Sequence, residues 1–117
     1  MNIEEFREFC LAKKGVTEEL PFGPDTLVYK VAGKIFALTS LDTEVFKVSL
    51  KCEPNFAVEL REQFEYIVGG YHLNKKHWNT VNGDVSPTKQ LMELTNHSYQ
   101  VVVEGLPKKM KLELESL

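Results

Sequence analysis

Residues 27–51 constrain this chain more than any other stretch, because their alternation and turns fit few folds. Leu27, Tyr29 and Val31 alternate with Val28 and Lys30. Ala32-Gly33 then turns the chain, glycine being the residue that accepts a positive φ. Ile35 to Leu41 is a nearly unbroken apolar run, as expected of a central strand covered on part of both faces. After a second turn at Asp42-Thr43, Phe46, Val48 and Leu50 alternate strictly with Lys47, Ser49 and Lys51. The third strand therefore has one dry face and one basic, wet face. Three strands with such short links form an antiparallel meander, and the rest of the chain must cover the dry side.

Helical segments are available to do so. Asn2 can cap a first helix, with Glu5 reaching back and Ile3, Phe6, Phe9 and Cys10 on one face, and Gly15 stops it. From Thr17 to Asp25 two prolines and a glycine exclude helix and regular strand, so the stretch reads as a shaped loop pinned to the core by Leu20 and Phe22. Pro54 suits the first turn of a second helix, whose apolar stripe is Phe56, Ala57, Leu60 and Phe64. Two further strands are expected, one running to about Leu73 and one from His77 to Val81, joined at Asn74-Lys75-Lys76 and ended by Asn82-Gly83-Asp84. Ser86, as N-cap, and Pro87 then open the longest helix, which buries Leu91, Leu94, Ser98 and Val102 and stops at Gly105-Leu106-Pro107. The tail from Lys108 to Leu117 reads as partly frayed.

At 117 residues the chain is one domain, residues 1–117, with the 43% apolar and 26% charged composition of a globular protein. Neither a signal peptide nor a membrane span is visible, which places the chain in the cytoplasm, and a monomer without membrane attachment is expected. The net charge of -3 gives no overall attraction for nucleic acid, so any binding of that kind needs a local basic face. Cys10 and Cys52 lack metal-ligand spacing and read as small buried apolar residues.

The densest chemistry lies between Gly69 and Val81, which holds the only tryptophan and two of the three histidines. No nucleophile elbow or phosphate-cradling loop is present, so the chain reads as non-enzymatic and without cofactor. His72 and His77 have no local carboxylate or cysteine to complete a metal site, and His97 reads as an ordinary helix residue. Nucleic-acid binding is the better-supported chemistry. Lys75 and Lys76 at the turn suit phosphates, and Tyr71 and Trp78 offer faces for stacking. Asn74 and Asn79 suit base edges, with Lys47 and Lys51 widening the basic surface. A protein partner on an open sheet face, or a small ligand between the Pro21-Phe22-Gly23-Pro24 loop and residues 72–79, are the alternatives.

Several stretches in order also resemble a known family. They are Pro21-Phe22-Gly23-Pro24, Leu27 to Leu38, Val48 to Pro54, Gly70-Tyr71-His72-Leu73-Asn74-Lys75-Lys76-His77-Trp78-Asn79-Thr80-Val81 and His97-Ser98-Tyr99. Together they are similar to the MmcQ/YjbR family of small bacterial proteins, with Gly69 departing from the proline that members commonly carry. The resemblance implies an α+β fold, a two-layer α/β sandwich of order α-β-β-β-α-β-β-α with a five-stranded antiparallel sheet. It also implies likeness to the CyaY and type III secretion chaperone folds, and DNA as the partner, since the family is commonly labelled DNA-binding. The chaperone likeness equally implies a protein partner.

Overall fold

A computed structural model describes all 117 residues. In chain order the elements are α1 (Ile3–Leu11), β1 (Val16–Glu19), β2 (Thr26–Val31), β3 (Lys34–Ser40), β4 (Lys47–Lys51), α2 (Pro54–Gln63), β5 (Ile67–Gly69), β6 (Trp78–Asn82), α3 (Thr88–Glu104) and α4 (Lys108–Glu115). The strands form one antiparallel sheet in the order β1-β2-β3-β4-β6-β5. The α+β class, the open antiparallel sheet and the meander from β2 to β4 are as the sequence leads one to expect.

The sheet has six strands rather than five. Val16–Glu19, the start of the stretch read as loop, pairs with β2 as an edge strand, because Pro21 and Pro24 come only after it. Leu20 and Phe22 do not pin that loop to the core, being 50% and 66% exposed. The C-terminal tail is a helix, α4. Leu106, Met110 and Leu114 recur every fourth residue and pack on the core, giving this short segment the tertiary anchor that a marginal helix needs.

Local chemistry accounts for the starts of α1 and α2. Asn2 Oδ1 accepts from Glu5 N at 2.8 Å while Asn2 N donates to Glu5 Oε1 at 3.0 Å, a reciprocal cap. Glu53 caps α2 by accepting from Asn55 N and Phe56 N, ahead of Pro54 at the first position. The start of α3 differs from the expected serine cap. Pro87 is the boundary residue, and Ser86 Oγ instead donates to Gln90 Oε1 at 2.8 Å.

The helices share one face of the sheet, with α3 over β2, β3 and β4, α1 against β1, and α2 against β5 and β6. Tyr29, Ala37, Val48, Leu50, Val81 and Ile67 point into this core, where they meet Phe6, Leu60, Leu91, Leu94 and Val102. A register shift between Tyr29 and Lys30 lets consecutive residues Phe36 and Ala37 both enter the core, and Phe36 meets Tyr99 edge-on with centroids 5.5 Å apart. The turn between β2 and β3 places both Ala32 (φ 49) and Gly33 (φ 77) in the left-handed region. Cys10 and Cys52 are buried free thiols, and burial pushes them up to about 12 and about 11 respectively, which keeps them protonated and unreactive. No helix is long and apolar enough to cross a membrane.

His97 on α3 secures the start of α2, its Nε2 accepting from Glu53 N at 3.1 Å. Burial lowers its proton affinity below the ordinary 6.5, although the carboxylates of Glu53 and Glu104 pull the other way. The unfolded chain therefore takes up this proton first as pH falls below 6.5, so stability drops in that window. The Glu53 carboxylate, held below its ordinary 4.5 by the capped amides, loses its contribution only at more acid pH. Urea denaturation at pH 7, 6 and 5 should show this decline in the native protein, and His97→Gln should flatten it; an unchanged slope in the variant would exclude His97 as its source. Leu91→Ala, at a fully buried site, should cost about 3 kcal/mol in the same assay at pH 7.

Candidate functional site

The face of the sheet opposite the helices is bare, and pairing decides what it displays. Lys47 stands opposite Asn82, Ser49 opposite Thr80 and Lys51 opposite Trp78. Leu38 lies beside Ser49 and Val68 beside Thr80, so Leu38, Ser49, Thr80 and Val68 form one row across four strands. The next row holds Thr26, Ser40, Lys47 and Asn82.

Two loops rise at the sides of these rows and turn the face into a trough of about 950 Å³. Phe22 stands on one side, while Tyr71, His72, Leu73 and Lys75 stand on the other, after β5. The volume lies in the range of small-ligand sites. Phe22 and Tyr71 present 66% and 73% of their surface to solvent, which leaves aromatic faces open on both sides. Lys47, Lys75 and His72 supply the basic groups, and Glu65 is the single carboxylate in the lining.

The second loop is tightly built. Gly70 N donates to Trp78 O at 2.9 Å, and a Cβ at Gly70 would meet Trp78 Cβ at 2.7 Å, so only glycine lets the strands approach this closely. Tyr71 N donates to Thr80 Oγ1 at 3.1 Å, and Lys75 Nζ donates to Gly70 O at 3.1 Å, which folds the loop back over β6. His72 takes a left-handed conformation (φ 57), uncommon for a residue with a side chain, and its ring lies 4.0 Å from that of Tyr71. Asn74 closes the tip, its Oδ1 accepting from Lys76 N at 2.9 Å. The strand expected to reach Leu73 ends at Gly69, because this turn chemistry starts at Gly70.

The residues singled out from the sequence thus fall into three places. Lys47, Tyr71 and Lys75 line the trough. Lys51 and half-buried Trp78 share its face one row further along, and Asn74 and Lys76 sit at the exposed loop tip. Asn79 lies on the opposite face, 2% exposed beneath α2. Its Oδ1 accepts from Arg61 Nη1 at 2.7 Å and its Nδ2 donates to Ala57 O at 3.1 Å, while the same Arg61 nitrogen donates to Lys75 O. Asn79 therefore clamps α2 to β6 and to the loop rather than meeting a ligand.

Ser49 and Thr80, at the centre of the floor, were not legible as site residues. Their signal was the alternation of Lys47, Ser49 and Lys51 on a wet face, but the strand opposite could not be aligned with it before the register was known. No cluster of three His, Cys, Asp or Glu side chains is placed to hold a metal ion. A second depression, beside Leu50, Cys52, Leu60 and His97, has about 10 Å³, room for one water at most.

A family model described as YjbR matches residues 11–101. The chain belongs to the YjbR family. The uncharacterized protein YjbR of Escherichia coli K12 is 35% identical over 118 residues, spanning 100% of both chains. The uncharacterized protein YbdF of Escherichia coli O157:H7 is 40% identical over 90 residues, 76% of this chain and 74% of its own. Among solved structures, a Deinococcus radiodurans protein with a DUF419 domain superposes with a TM-score of 0.91 at 36% identity, over 97% of this chain and 88% of that one. A Pseudomonas syringae protein gives a TM-score of 0.75 at 27% identity, over 86% of this chain and 98% of its own. The YjbR match includes the whole of the trough and the Arg61–Asn79 clamp.

Truncating the clamp should cost stability. Asn79→Ala leaves the Ala57 carbonyl and one Arg61 donor without their partner under α2, and about 2 kcal/mol should be lost in urea denaturation. Asn74→Ala, which removes one exposed turn bond, should cost about 0.5 kcal/mol.

Proposed function

We propose that this YjbR-family protein is a non-enzymatic, cytoplasmic binding module whose helix-free sheet face receives single-stranded DNA. The observation that carries the reading is the trough itself, with exposed aromatic rings on both sides and basic side chains facing it. A strand needs faces on which bases stack and cations along its phosphates, and Phe22 and Tyr71 fit the first role as Lys47 and Lys75 fit the second. A walled trough favours a single strand over a duplex, whose bases are already stacked on one another. Binding is favoured over catalysis because the floor hydroxyls bond each other and a backbone amide instead of a general base. The acidic balance of the whole chain is compatible with this, since the two lysines outnumber the one carboxylate locally.

Fluorescence anisotropy with a labelled single strand and the matching duplex, over a sodium chloride series, tests the reading. The single strand should bind more tightly, with affinity falling as salt rises. A Lys47→Glu, Lys75→Glu double variant should lower the slope of log K against log[salt] by about 1.4. Tyr71→Ala should weaken binding by about 1–3 kcal/mol if a base stacks on its ring. A folded native protein that binds neither form at low salt, or binds only the duplex, would overturn it.

A further inference from the structure

The centre of the trough floor holds an unspent hydrogen-bond donor. Ser49 Oγ and Thr80 Oγ1 are 2.8 Å apart and share one hydrogen bond. Thr80 Oγ1 also accepts from Tyr71 N at 3.1 Å. Two hydroxyls carry two hydrogens, and the bond between them uses one. Whichever oxygen donates, the other hydrogen is left over, since the remaining contact to the pair is another donor. With Thr80 6% exposed under the Tyr71 loop and Ser49 half-buried, the spare hydrogen falls to Ser49 when Thr80 donates across the pair.

The neighbouring polar groups have the same sign. Asn82 spends its Oδ1 on Asp84 N, which leaves its Nδ2 hydrogens for a ligand, and Lys47 stands opposite Asn82 with its ammonium. Lys75 is a further donor from the wall, whereas Glu65 is the one carboxylate. The floor is thus rich in donors and asks for a ligand edge rich in acceptors. On either side of the hydroxyl pair the row is apolar, with Leu38, only 9% exposed, next to Ser49 and Val68, 53% exposed and the main apolar surface, next to Thr80.

Building on the single-strand reading above, we infer that the Ser49–Thr80 pair is a base-selective subsite that takes a pyrimidine, thymine in preference to cytosine. Thymine presents the O4 and O2 carbonyl acceptors and a methyl group suited to the apolar flanks, whereas adenine and cytosine present an amino donor where thymine has O4. The Ser49 hydroxyl hydrogen meets thymine O4, Asn82 and Lys47 serve O2 or the adjoining phosphate, and Tyr71 or Phe22 covers the ring.

Anisotropy with labelled homopolymers of thymidine, deoxycytidine and deoxyadenosine, read for the native protein, Ser49→Ala and Ser49→Thr, tests this. The native protein should bind oligo(dT) at least about fivefold more tightly than either oligo(dC) or oligo(dA), the size of one net hydrogen bond. Ser49→Ala should lose that preference while still binding strands, and Ser49→Thr, which keeps the hydroxyl, should retain it. An oligonucleotide of 2-pyrimidinone, which lacks the 4-oxo group, should lose a similar factor against the unaltered native protein, a measurement that does not depend on a variant folding. Equal binding of all homopolymers, a preference that survives in Ser49→Ala, or full affinity for the 2-pyrimidinone strand would overturn the subsite and leave the single-strand reading standing. Failure of the native protein to bind any homopolymer would overturn both.

Discussion

The pairing of β4 with β6 is the constraint on which the rest depends. These strands are separated in sequence by α2, β5 and a folded loop, yet their register aligns Val48 with Val81 on one face and Ser49 with Thr80 on the other. A slip of one residue would bury the hydroxyls under the helices and expose the valines, so burial of Val48 and Val81 enforces the position of Ser49 and Thr80. Core packing and site geometry are therefore one requirement here. The Arg61–Asn79 clamp adds to it by tying β6 and the loop carbonyl of Lys75 to α2.

The chain has enough helix to cover one side of its sheet, and that economy creates the trough. The bulge at Phe36 brings consecutive apolar residues into the core, while the other face keeps Thr26, Ser40, Ser49, Thr80 and Asn82 among its few apolar side chains. Phe22 and Tyr71 stay exposed because the loops that carry them have no helix to pack against.

Much of the fold was legible because its determinants are local. Asn2 with Glu5, Pro54, Ala32-Gly33 and the strict alternation from Phe46 to Lys51 each act within a few residues, and each does in the structure what its chemistry suggests. Local pattern is a poor guide where a distant partner decides. Val16–Glu19 is a strand because β2 offers it an edge, and Lys108–Glu115 is a helix because Leu106 and Leu114 reach the core. Asn79 looked like a reader of bases because its sequence neighbours are aromatic and basic, but strand alternation turns it to the side occupied by Arg61. Of the site, the loop from Tyr71 to Lys75 and the wet face of β4 were visible, while the floor pair awaited the register.

The two edges of the sheet differ from its open face in what they would admit. β1 carries Glu18 and Glu19 paired with Arg7 at 2.7 Å and with Lys30 at 3.2 Å, and β5 has three residues ending in glycine. A charged edge and a very short edge are both poor templates for adding a strand. Such borders discourage copies of the chain from zipping together through their backbones, even though each copy leaves one whole face of its sheet without a covering layer. An approaching chain thus finds no long, bare edge to extend, which closes one route to amyloid-like stacking.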